Sequence, residues 1–180
     1  MTARRPPAAQ VPWFERDAER LRRDYEEIET AFPDLGWTDA DAGGWDGRLP
    51  LWPFKRPTPD FLADVVGSIG VKIELRYPQA YPMVAPSIRA IDPEPQLREW
   101  TVHGWHVNGD GTLCLLRSVA LWDPRTSITD LLLKAAGWRI EYALMQRSAI
   151  KAMTENGIVN DTIYDDLITD LARQAEIEKA

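Results

Sequence analysis

The chain has 180 residues, 44% hydrophobic and 27% charged, the balance of a single soluble globular domain with a sizeable core. Its net charge of −7 argues against non-specific binding to nucleic acid or to an anionic membrane, and no apolar run approaches the roughly 20 residues that cross a bilayer. One cysteine excludes an intrachain disulfide, and no apolar stretch follows Arg4 and Arg5, so the chain reads as unexported and cytoplasmic.

Residues 1–11 are rich in Pro, Ala and Arg and are expected to be disordered, leaving 12–180 as the single domain. Phe14, Ala18, Leu21, Tyr25, Ile28 and Phe32 step by four and three, which is one helical face, with Pro33 and Gly36 ending the helix. The charged residues of its other faces read as a solvated surface. Residues 33–60, rich in Gly, Pro, Asp and Trp, read as a long connection with a short strand near Arg48–Phe54. Val71, Ile73 and Leu75 alternate with Lys72, Glu74 and Arg76, a half-buried strand. Pro78, Pro82 and Pro86 make Tyr77–Pro86 a rigid turn that leads into a strand over Ser87–Ile91, after which Asp92–Pro95 turn away.

Gly104, Gly109 and Gly111 predict an irregular loop over Trp100–Trp122. Ser127 with Asp130 has the spacing of a capping box and opens a helix from Ile128 to about Met153, apolar on most faces and therefore buried. Asn156-Gly157 stops it. A last helix from about Asp161 carries Ile163, Leu167 and Leu171, and residues 155–180 hold seven acids against two bases. Strands grouped centrally and helices at the ends imply an α+β fold with an antiparallel sheet. The eight tryptophans read as core.

Three motifs resemble the ubiquitin-conjugating enzymes. Tyr77–Pro86 is similar to the family's strand-turn, with Tyr81, Pro82 and Pro86 in its Tyr-Pro-x-x-x-Pro pattern. His106-Val107-Asn108, followed by Gly111 and Cys114, is similar to its His-Pro-Asn signature and catalytic cysteine. Trp122 and Pro124 follow before the long helix. The resemblance implies the family's fold: an antiparallel meander with one N-terminal and two C-terminal helices. It departs where Val107 replaces proline, where the segment from Asn108 to Cys114 is about two residues shorter than in eukaryotic members, and in an acidic first helix. Those departures most resemble bacterial members from anti-phage operons. Some of these accompany a ubiquitin-like protein, an activating enzyme and a deconjugating protease. Others accompany a cGAS-like nucleotidyltransferase whose C-terminal tail takes the ubiquitin-like role.

The implied reaction is acyl transfer. The Cys114 thiolate would take the C-terminus of the ubiquitin-like protein, or of the nucleotidyltransferase, from an activating enzyme as a thioester, and pass it to a protein substrate amine. Asn108 is either an oxyanion donor or a loop brace. His106 reads as structural, holding the loop through hydrogen bonds. Asp110 and Asp123 either orient the amine or form turns. Glu155, Asn156 and Asp161 are candidates for the family's gate residue after the long helix. No cofactor is expected, and two histidines with one cysteine lack metal-ligand spacing. Two other readings stand: a binding module of the same fold that does not transfer, and a cysteine hydrolase using Cys114 and His106.

Overall fold

The structure, a computed structural model, describes residues 11–118 and 121–177. The disorder expected for 1–11 therefore lies, but for Val11, outside the described residues. A short helix α1 (Trp13–Arg16) leads into α2 (Ala18–Ala31), and then strands β1 (Leu35–Thr38) and β2 (Gly44–Arg48). A helical turn α3 (Leu62–Val66) precedes β3 (Lys72–Arg76) and β4 (Ser87–Asp92). Two 3-10 turns, Leu97–Glu99 and His103–Trp105, enter the long loop, and α4 (Ile128–Gln146) and α5 (Asp165–Ile177) close the chain.

The four strands form one antiparallel sheet in the order β1-β2-β3-β4, so the α+β class and the antiparallel meander are as the sequence implies. Register places Trp37, Trp45, Leu75 and Ile88 opposite one another across all four strands. Trp45, Leu75 and Ile88 of that row are buried in the core beneath α4. The other face carries ion pairs such as Arg76–Asp46 at 3.1 Å. Helix α4 is buried on nearly every face because the sheet covers one side and α3 and α5 cover the other. Phe54, Val65, Ile140, Leu144, Ile158 and Ile168 form that second cluster.

Several expectations need correcting. The connection expected over 33–60 holds β1, β2 and the approach to α3, and no strand occupies 49–54. Glycine hid β2: a Cβ on Gly44 would lie 2.3 Å from the Leu75 carbonyl oxygen, so close strand approach demands glycine where alternation would demand a side chain. Helix α4 stops at Gln146, seven residues before Met153. Ser148 adopts φ 56°, the Ala149 amide donates to the Leu144 carbonyl, and the chain turns back. Met153 is still buried, which is why the apolar pattern outlasts the helix. Helix α5 starts at Asp165, and its buried residues are Ile168 and Ala172, while Ile163 is 59% exposed.

The largest departure lies on α2. Asp17 caps the helix, its side chain accepting from the Arg20 amide at 3.0 Å, and so separates it from α1. Arg20 and Asp24, expected in a solvated face, are 7% and 0% exposed. Arg20 Nε donates to the Tyr81 hydroxyl at 2.8 Å, Nη1 to the Pro124 carbonyl at 2.7 Å and Nη2 to the Thr126 carbonyl at 2.8 Å. Asp24 Oδ2 accepts from the Tyr81 and Tyr77 hydroxyls at 2.6 and 3.0 Å. Asp24 Oδ1 lies 3.0 Å from Arg20 Nε, a charge contact without hydrogen-bond alignment. Removing one member strands the other charge in the core. Arg20→Ala is therefore expected to lower unfolding free energy by about 3–5 kcal/mol, read from urea midpoints at unchanged m-value. A loss below about 1 kcal/mol, the range of an exposed pair, would show that the pair carries little.

Candidate active site

The sole cysteine sits on a small hairpin. Val107 and Leu113 form an antiparallel bridge, the Asn108 amide donates to the Thr112 carbonyl at 2.8 Å, and the Gly111 amide donates to the Asn108 carbonyl at 3.0 Å. Gly111 takes φ +80°, and a Cβ there would meet the Trp100 ring at 2.8 Å, so the tight turn needs glycine twice over. Two contacts pin the hairpin to the free edge of β4: the Leu113 amide donates to the Ile88 carbonyl at 2.7 Å, and Thr112 bridges Arg89. Val107 and Leu113 point into the core, so by alternation Cys114 faces out, and it is exposed.

Helix α4 ties down both flanks. Lys134 Nζ donates to the Leu115 carbonyl at 3.2 Å, and Trp138 Nε1 donates to the Trp105 carbonyl at 3.0 Å. The Cys114 amide donates to the His106 carbonyl at 2.8 Å, and its thiol lies 3.8 Å from the Leu116 carbonyl, a weak S–H···O contact.

Cys114 separates two depressions. On one side, a groove of about 230 Å³ runs between the hairpin and Ala85–Ile88, with Asn108, Leu113 and Leu131 in its walls. On the other, a narrow cleft is lined by His106, Cys114, Lys134, Trp138, Glu141, Glu155 and Asn156. A larger depression of about 630 Å³ shares Lys134 and Asn156 with that cleft and extends past Trp122 to Asp161.

The expected residues fall into two groups. Cys114, His106 and Asn108 come together: His106 shares the cleft with the cysteine, and Asn108 shares the groove. The Asn108 side chain donates to Thr112 Oγ1 at 3.0 Å, so it braces the hairpin in this structure. His106 holds the loop through its backbone, its carbonyl accepting from the Cys114 amide, in a conformation with φ 50°, and its ring makes no hydrogen bond among the described residues. Burial and neighbouring His103 depress its proton affinity below the ordinary value, so the imidazole is neutral at pH 7.

Asp110 and Asp123 stand outside both depressions. Asp110 accepts from the Thr112 amide and hydroxyl at 3.0 and 2.6 Å. Asp123 accepts from the Arg125 amide and guanidinium, both at 2.8 Å, and those bonds hold it at about 2. Both are turn formers here. Of the gate candidates, Glu155 and Asn156 line the cleft beside Cys114, and Asp161 lies farther along. Tyr81, Pro82, Trp122 and Pro124 meet behind the site. The Trp122 indole donates to the Pro82 carbonyl at 2.7 Å, and Pro124 is held by Arg20. Pro86 lines the groove.

The sequence reading missed Lys134 and Glu141. Both sit on α4, seven residues or two helical turns apart, on the side that meets the cleft. Charges at that spacing on a helix that is apolar on most faces are the signal that finds them. Glu141 is 2% exposed, and Oε1 accepts from the Thr154 amide at 2.7 Å. Burial raises its carboxyl to about 7, against the pull of the Thr154 hydrogen bonds.

Because the folded protein holds a proton on Glu141 more tightly than the unfolded chain does, stability falls as pH rises from about 4.5 to about 7. Glu141→Gln keeps an acceptor for Thr154 and removes the charge. It is expected to flatten the stability–pH profile in that window, by roughly 3 kcal/mol across it; parallel profiles for variant and wild type would contradict this. Cys114, being exposed, should react with one equivalent of DTNB in the native protein, and a thiol that reacts only after unfolding would contradict the hairpin geometry.

Compared with known proteins, the chain matches no family model and no curated protein, so the chemistry of this site rests on its own geometry.

Proposed function

We propose that this chain is a conjugating enzyme of the ubiquitin type. It carries the C-terminal acyl group of a ubiquitin-like protein, or of a cGAS-like nucleotidyltransferase, as a thioester on Cys114 and passes it to a protein amine, in bacterial anti-phage defence. The observation that carries the reading is the position of Cys114. The chain's one thiol is exposed on a hairpin clamped to both the sheet edge and α4, between a groove and a cleft.

That position suits two-step acyl transfer. The groove is open and flanked by backbone, and an extended tail can lie in it with its last carbonyl at the sulfur. The Cys114 thiolate attacks that carbonyl and releases the activating enzyme's thiol, and the amine then attacks the resulting thioester. Asn108 uses one N–H of its amide on Thr112, and the second is free to meet an oxyanion in the groove. The exposed face of α2 alternates charge, with Arg22–Glu26 and Arg23–Glu27 pairs, and offers a polar surface for an activating enzyme.

The hydrolase reading has less support. Such enzymes pair the sulfur with a base that is itself oriented by a third group. Here the Cys114 thiol contacts the Leu116 carbonyl, and the His106 ring lacks any hydrogen-bonded orienter among the described residues. The binding module of the same fold needs no exposed thiol.

The test is intact mass after co-expression with the products of the neighbouring genes, with and without dithiothreitol. Wild type is expected to carry an adduct that reductant removes. Cys114→Ala should carry none, and Cys114→Ser should carry an adduct that resists reductant, as an oxygen ester does. Full conjugation by Cys114→Ala would overturn the proposal. Partner binding that survives Cys114→Ala, with no covalent adduct on wild type, would establish the binding module instead.

A further inference from the structure

Resting on that reading, we propose that Glu141 is the general base that takes the proton from the attacking amine. The cleft it shares with Cys114 holds about 20 Å³ of free space, room for a group the size of one water molecule. A primary amine's nitrogen fits there. Glu141 is 2% exposed and lines this cleft. The Thr154 amide anchors one of its oxygens at 2.7 Å, and the Thr154 side chain adds to the same pull.

The charges around it favour a basic nucleophile. From the segment after α4, Glu155 lines the same cleft and Asp161 adds negative charge. Tyr164 lies close enough for Glu141 to raise its hydroxyl's proton affinity. From α4 itself comes Lys134, whose ammonium is engaged by the Leu115 carbonyl. From the cysteine loop come Cys114 and His106. Glu155 also meets Arg117 at 3.4 Å on the exposed side. Two of the cleft's titratable groups are tuned in opposite directions by the same burial: His106 binds a proton more weakly than usual, while Glu141 is held at about 7, where a base is effective at neutral pH.

The step balances without any further reactant. The amine nitrogen bonds to the thioester carbon, and as it gains positive charge one of its protons passes to the Glu141 carboxylate. The carbon–sulfur bond breaks, the Cys114 sulfur leaves as thiolate, and the Glu141 carboxylic acid returns the proton to that thiolate.

The experiment needs no natural partner. A peptide ending in Gly-Gly, as its 2-mercaptoethanesulfonate thioester, is exchanged onto Cys114, and discharge of the acyl-enzyme to free lysine is followed by intact mass between pH 6 and 8.5. Glu141→Gln should load as wild type does and discharge on the order of 100-fold more slowly. The wild-type to Gln rate ratio should rise through about pH 7 and then level off. Glu141→Asp, which keeps a carboxylate, should recover part of the rate and an inflection, and it serves as the second readout if the Gln variant folds poorly.

If Gln discharges as fast as wild type while Glu141→Ala does not, Glu141 only braces Thr154 and the inference is overturned. It is overturned equally if the Glu141-dependent product is the free peptide acid, since the cleft then activates water. A Cys114 that takes no acyl group at all sinks the carrier reading and this inference with it, whereas normal loading with unchanged discharge sinks the inference alone.

Discussion

A guanidinium removed from water has to find a hydrogen-bond acceptor for nearly every N–H it carries, and the interior of this protein is arranged around that demand. Arg20 reaches a tyrosine hydroxyl, an aspartate and two backbone carbonyls. Asp24, with no exposure, draws on Tyr77 and Tyr81. Burial still pushes Asp24 above its ordinary proton affinity, with the Tyr81 hydrogen bond and the Arg20 charge pulling it back. Burial, followed by the Asp24 charge, drives the Tyr81 hydroxyl far above the tyrosine range, so it stays protonated and serves as donor to Asp24 and acceptor from Arg20 at once. Charges this deep are tolerated only when they are paired and hydrogen-bonded, and here the partners come from two distant stretches of chain.

Those stretches frame the candidate site. The Tyr81-Pro82 turn borders the groove at Ala85 and Pro86, and the Pro82 carbonyl seats the Trp122 indole. The carbonyls of Pro124 and Thr126 immediately precede Ser127, whose hydroxyl caps α4 and donates to Glu27 on α2. Helix α4 then carries Lys134, Trp138 and Glu141 to the far wall of the cysteine loop. The loop has little regular secondary structure, yet its position is over-determined: backbone bonds join it to β4, and side-chain bonds join it to α4. A thiol displayed on an irregular loop keeps its geometry because rigid elements hold both ends.

What could be read from the sequence follows from how each element is solvated. Strand β3 was legible because one of its faces meets water, so Lys72, Glu74 and Arg76 alternate with buried residues. β2 was not, since Gly44 and Gly47 hold positions where a side chain would strike a neighbouring backbone. Helix α3 has five residues and starts after Phe61 in a left-handed conformation, too short for any periodicity. The end of α4 was hidden because Ile150 and Met153 stay apolar after the helix has turned. In the site, the hairpin residues announced themselves through glycine spacing and the single thiol. Arg20, Asp24, Lys134 and Glu141 did not, because a charged side chain in a sequence looks like a surface residue until its partners are known, and those partners lie up to 106 residues away.

That separation has a consequence for how the protein is made. At about 5–20 residues per second, a ribosome takes roughly 5–20 s to travel from Arg20 to Thr126. Through that interval Arg20 lacks carbonyl acceptors that it has in the finished protein, although Tyr77 and Tyr81 are already made and can meet Asp24. The Pro124 and Thr126 carbonyls arrive only after Cys114 has been synthesised. A nascent chain interrupted before Thr126 therefore leaves the Arg20 guanidinium short of an acceptor and lacks α4, whose Lys134 and Trp138 hold the cysteine loop in place.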